Sequence, residues 1–166
     1  MTEKTFNMDS FIHAIILKAS VEDVFKFIAT PSGIVKWFIG KAKYFYKDSH
    51  IRLGNETAQK GDSFLWNWLN KELELKGIVT ESDENKIFSF TFSPLFLVTI
   101  ELEKIDDSKT RLTLKQEYQE SASKNDFSYI NCCTCWVFFM TNLKSVMENA
   151  TDLREKETAD EMMVNY

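Results

Sequence analysis

Between residues 41 and 118 the chain repeats one pattern six times: a short segment in which apolar and polar residues alternate. Alternation at period two sends successive side chains to opposite faces of a strand. The apolar sets are Ala42, Tyr44 and Tyr46; Phe64, Trp66 and Trp68; and Leu73, Leu75, Gly77 and Val79. Phe88, Phe90 and Phe92 follow, then Val98, Ile100 and Leu102, and finally Leu112, Leu114, Gln116 and Tyr118. Polar stretches at 48–60, 81–86 and 106–109, the Gly61-Asp62 pair and Pro94 separate them. Strands at hairpin spacing with one apolar and one polar face predict an antiparallel sheet that is wet on one side.

The apolar face needs a cover, and residues 127–150 are the only long helical pattern available. Trp136, Phe139, Met140, Leu143, Met147 and Ala150 recur there at spacings of three and four. About 24 residues at 1.5 Å each give a helix of ~36 Å, long enough to cross a sheet. Residues 151–166 are acidic and lose the pattern, so this tail either extends the helix or frays.

Ahead of the six strands, residues 11–18 alternate around Phe11, His13, Ile15 and Leu17. Ser20 then reads as an N-cap, with Asp23 at the spacing of a capping box and an apolar side of Val24, Phe25, Phe27 and Ile28. Thr30 caps a second helix with Pro31 at its first position. That helix carries Ile34, Trp37 and Phe38, and Gly40 stops it. The order predicts an α+β fold: a curved antiparallel sheet wrapped around a long C-terminal helix, with two short helices between strands 1 and 2.

A length of 166 residues suits a single domain, with its core at about 10–150 and the tail at 151–166. Twenty basic residues against twenty-five acidic ones, with no basic run, give no footprint for nucleic acid. No stretch reaches the roughly 18 apolar residues of a membrane span. The first residues lack the pattern of a secretory leader. Cys132, Cys133 and Cys135 are an odd, clustered set, a poor disulfide framework that fits a reduced, cytoplasmic protein. They also lack the two-pair spacing of a zinc site, so no metal or other cofactor is expected. No hydrolase triad, phosphate loop or zinc-hydrolase helix is present, and no catalytic residue is assigned. His13 reads as a core histidine and His50 as solvent-facing.

Four segments carry a resemblance to a known superfamily. They are IILKASVEDVFKFI at 15–28, TPSGIVKWF at 30–38, VTIELEKIDDSKTRLTL at 98–114 and WVFFMTNLKSVME at 136–148. In order and spacing they resemble the START-like (SRPBCC) superfamily with its Bet v 1-like helix-grip fold. Within it the likeness is to the branch of activators of the 90-kDa heat-shock protein ATPase, in the C-terminal domain. The chain departs from that pattern at Gly61-Asp62, where Gly-Gly is common, and in a longer loop at 48–60. Those activators carry a separate N-terminal domain for which 166 residues leave no room.

The resemblance implies a cavity between sheet and helix, and a small hydrophobic or lipid-like molecule as ligand. Its candidate lining is Trp37 with Phe64, Trp66 and Trp68; Phe88, Phe90 and Phe92; Ile100, Leu112, Leu114 and Gln116; and Trp136, Phe139, Met140 and Leu143. The many rings either line this space or fill it. Gln116, if buried, needs hydrogen-bond partners that a ligand could supply. Two alternatives stay open. One is an enzyme of the cyclase or dehydratase kind, using His13, Gln116 or Tyr118. The other is a chaperone-linked interaction protein, for which, as for a homodimer, an exposed apolar patch would be the mark.

Overall fold

The computed structural model describes residues 8–157, 163 and 164. The start of the chain that bears on a leader, and the remaining tail residues, lie outside the described residues. The elements are β1 (Ser10–Leu17), α1 (Val21–Ala29), α2 (Pro31–Ile34), β2 (Lys41–Phe45), β3 (Ser63–Asn67), β4 (Glu74–Asp83), β5 (Ile87–Phe92), β6 (Phe96–Asp106), β7 (Lys109–Tyr118) and α3 (Asp126–Asn149). The strands form one antiparallel sheet in the order β1-β7-β6-β5-β4-β3-β2. The first strand pairs with the last, with Ile15 opposite Leu112. In-facing residues fall in register across the sheet: Phe88 faces Ile100, and Ile100 faces Leu114. The sheet curves around α3, so the α+β arrangement is the one the element order predicts, and the helix-grip fold is the one the resemblance implies. No helix among the described residues is long and apolar enough to cross a membrane.

The helix starts form as the capping residues dictate. Ser20 Oγ accepts from the Asp23 amide, and Thr30 Oγ1 accepts from the Gly33 amide at 3.0 Å. The second helix is shorter than its apolar spacing suggests. It ends at Ile34, and Trp37 and Phe38 are buried from the turns that follow. Gly40 therefore does not stop a helix. Its amide donates to the Asn67 carbonyl, and a side chain there would come within 2.8 Å of the Leu69 Cα.

Gly33 is held by a tighter approach. A Cβ would lie 2.1 Å from the Lys26 carbonyl oxygen and 2.7 Å from the Phe27 Cα. Both obstacles are backbone, so relief requires α1 and α2 to part. Gly33→Ala should therefore destabilise the protein by about 1–3 kcal/mol or more. An unchanged urea midpoint would count against this packing.

The polar stretch at 81–86 is not all turn. β4 continues through Asp83 after a bulge between Val79 and Glu81. An added residue breaks the period-two pattern while pairing goes on. Ser82 donates to the Ala58 carbonyl and so ties this extension to the loop at 48–60.

Both sheet edges are covered, as exposed edges invite wrong pairing. Along β1, Tyr129 Oη and Lys144 Nζ from α3 donate to the Ser10 and Ile16 carbonyls, and Glu148 accepts from the Lys18 amide. Along β2, the Arg52 amide donates to the Tyr44 carbonyl and the Tyr46 amide to His50. That loop is pinned by a nearly buried pair, Arg52 and Asp62, with Nη2 to Oδ1 at 3.1 Å. Arg52 also stacks on the Tyr46 ring at 3.8 Å.

The tail neither extends the helix nor frays where it is described. Ala150 takes the left-handed conformation (φ 53°) and closes α3. The chain then turns back. Arg154, 7% exposed, donates to the Ile39 and Val35 carbonyls, each at 2.9 Å, and to Asp152 at 2.8 Å. Asn142, fully buried on α3, donates to the Trp37 carbonyl and to Asp152, and accepts from the Leu153 amide. These contacts lock the α2–β2 connection against α3.

Candidate functional site

The space between the sheet and α3 is packed from one end. Phe38 sits at its centre. It stacks on Trp136 at 4.7 Å between ring centroids and meets Phe139 edge-on at 4.8 Å. Trp66 stacks on Phe64 at 4.1 Å and takes Phe90 edge-on at 5.1 Å. Such offset and edge-to-face contacts are how large rings close a core. Trp37, Phe64, Trp66, Phe88 and Phe90 are all buried in this packed end. Ile100, Leu112 and Leu114 from the sheet, and Met140 and Leu143 from α3, close the middle.

Open space remains at the other end, beside the N-terminal half of α3. A pocket of about 410 Å³ lies there, in the size range of small-molecule sites. Its apolar walls include Phe38, Trp68, Phe92, Trp136, Phe138 and Phe139. Its polar side comes from Asn70 and Lys71 after β3, and from Asn131, Cys132 and Cys135 on α3. Met163 and Val164 of the tail also border it.

Of the fifteen residues that the sequence offers as a lining, Trp68, Phe92, Trp136 and Phe139 border the pocket. The other eleven lie in the packed interior, all buried. Sequence reasoning did not pick out Asn70 and Lys71, because they sit in a connection with no periodicity. Phe38 was legible as part of the apolar side of the second helix, but not as a pocket wall. The cysteines were visible as a cluster, and only the helix phase brings Cys132 and Cys135 to the pocket.

Gln116 is 1% exposed and faces α3 from β7. Its Oε1 accepts from Trp136 Nε1 at 2.7 Å, while its Nε2 meets no oxygen acceptor, only the Cys132 sulfur. Cys132 lies next to it. Burial pushes the Cys132 thiol above its usual range, with Gln116 opposing, and burial does the same at Cys133. These thiols are therefore protonated at neutral pH. Deeper in, Tyr44 Oη and Trp66 Nε1 are buried near each other, with no further polar partner. Burial drives the Tyr44 phenol far above its ordinary range, with the Trp66 indole opposing.

His13 is half-buried at the junction of β1 and α3. Its Nε2 donates to the Cys133 carbonyl at 2.9 Å, and Phe11 lies against it. Tyr118 Oη donates to the Asn125 carbonyl and accepts from the Asn125 amide, which fixes the start of α3. Neither residue borders the pocket. Among the described residues, no group of three or more His, Cys, Asp or Glu could hold a metal ion. His50 lies on the surface beside Asp48, as its polar loop implies.

Comparison with known proteins supports the fold and names a family. The family model described as Activator of Hsp90 ATPase homolog 1-like protein matches residues 18–148. No curated protein matches the chain. Similar solved structures include the protein SSP2350 from Staphylococcus saprophyticus, 16% identical with a TM-score of 0.67 over 87% of this chain and 96% of that one. The Aha1 dimer from Colwellia psychrerythraea is 19% identical, with a TM-score of 0.65 over 86% and 98%. The protein MLL2253 from Mesorhizobium loti is 17% identical, with a TM-score of 0.63 over 86% and 98%. At these identities the likeness is one of fold.

Proposed function

We propose, from the premise that the chain belongs to the Activator of Hsp90 ATPase homolog 1-like family, that it binds a small, flat, apolar molecule in the pocket beside the N-terminal half of α3. The observation that carries this reading is the pocket itself. It offers aromatic faces on one side and amide, thiol and ammonium groups on the other. Aromatic walls give a flat ligand a large apolar contact, and a few polar groups fix its orientation. The enzyme alternative has less support: His13 and Tyr118 are engaged at the ends of α3 contacts, and Gln116 does not titrate. The chaperone-linked alternative rests on the exposed apolar side chains Phe127, Ile130 and Val137 of α3.

Trp68 offers the cleanest test. It is partly exposed and walls the pocket, meeting Phe38 edge-on at 5.4 Å, while the rings deeper in the sheet stay packed on one another. The dye 1-anilinonaphthalene-8-sulfonate should bind the native protein with a blue-shifted emission. Trp68→Ala should weaken that binding about tenfold, the loss expected for one aromatic wall. Equal affinity in the two proteins would overturn the pocket as the binding site.

A further inference from the structure

We infer that the molecule seated in this pocket carries a hydrogen-bond acceptor, a carbonyl-type oxygen, that the Gln116 side-chain amide receives. The inference rests on the pocket reading above. The orientation of Gln116 follows from chemistry. An indole N–H can only donate, so the end of Gln116 that meets Trp136 Nε1 must be the oxygen. The other end is therefore the NH2 group, a pure donor. It is buried with no oxygen acceptor, and meets only the Cys132 sulfur. A buried donor left in this state is costly, so a group that accepts from it gains more than an ordinary hydrogen bond.

Two of its neighbours lead to the pocket. Trp136 and Cys132, one helical turn apart on α3, both touch Gln116 and both border the pocket. The Cys132 thiol lies beside the amide. A neutral thiol sulfur is a weak acceptor, so it satisfies the NH2 group only in part. Gln116 lies one layer behind the pocket wall, so Cys132 must turn about χ1, a movement of one side-chain atom, for the amide to reach a ligand. An acceptor oxygen on a flat ring held between the aromatic walls then completes the set.

A matched pair of probes tests this: 2-acetylnaphthalene and its shape-matched hydrocarbon, 2-isopropenylnaphthalene. The native protein should bind the ketone about fivefold more tightly than the hydrocarbon. Gln116→Met should abolish that preference while keeping affinity for the hydrocarbon, which also reports that the variant is folded. In the unaltered, 15N-labelled protein, the ketone and not the hydrocarbon should shift the Gln116 side-chain NH2 resonances downfield. Equal affinities, or equal shifts, would overturn the acceptor and leave the pocket standing. Binding of neither probe would overturn both.

Discussion

Replacing Arg154 by methionine should lower the free energy of unfolding by about 3–5 kcal/mol, the loss typical of a buried ion pair broken on one side. The guanidinium is almost fully enclosed and engages three partners at once. It donates to the Ile39 and Val35 carbonyls and pairs with Asp152. Methionine matches much of its volume but supplies no donor. The two carbonyls and the carboxylate then stay buried without it. Asn142 shares Asp152 and the Leu153 amide, so the loss reaches into α3. Urea unfolding of the two proteins measures the difference. A loss below about 1 kcal/mol, the range of exposed pairs, would contradict this role.

The same cluster gives a pH signature. Burial alone would raise the Asp152 carboxyl. The hydrogen bonds from Arg154 and Asn142 outweigh it and hold the carboxyl well below the usual range. A folded pKa below the unfolded value of about 3.9 contributes stability above that value. The contribution is lost as the pH falls through the folded pKa. Stability should therefore drop below about pH 4, and the drop should be shallower in Asp152→Asn.

Trp136→Ala should cost about 3–5 kcal/mol, as large core truncations do. Trp136 is 2% exposed and stacks on Phe38, the ring around which the interior is arranged. Its removal also strips Gln116 of its donor. Trp136→Phe separates the two effects. It keeps an aromatic ring against Phe38 but leaves the Gln116 oxygen unpaired, for an expected cost of about 1–3 kcal/mol. The order of urea midpoints should be native, then Phe, then Ala. An alanine variant as stable as the phenylalanine one would show that packing against Phe38 contributes little.

Much of the architecture was readable because it rests on local rules. Period-two alternation placed Phe64, Trp66, Phe88, Phe90, Ile100 and Leu114 on one face, and all are buried. Ser20 and Thr30 announced their helices through side-chain chemistry that acts within three residues. Where the reading fell short, the cause was distant in sequence. Arg154 sits in an acidic tail, and only carbonyls more than a hundred residues away make its burial tolerable. The β4 bulge breaks the alternation that identifies a strand. The pocket arises where the packed rings stop, and that point depends on how Phe38 and Trp136 stack rather than on either residue's position in a pattern. Alternation could say which rings face inward. It could not say which of them meet one another and which meet open space.

The four tryptophan indole N–H groups are built-in reporters of where a ligand goes. Trp68 and Trp136 border the pocket, while Trp37 and Trp66 lie in the packed interior. Titrating 15N-labelled protein with 2-acetylnaphthalene and following the indole signals is therefore the most direct test. Binding at the pocket shifts the Trp68 and Trp136 signals and leaves those of Trp37 and Trp66 in place. Shifts confined to Trp37 and Trp66, or no shift at any of the four, would contradict it.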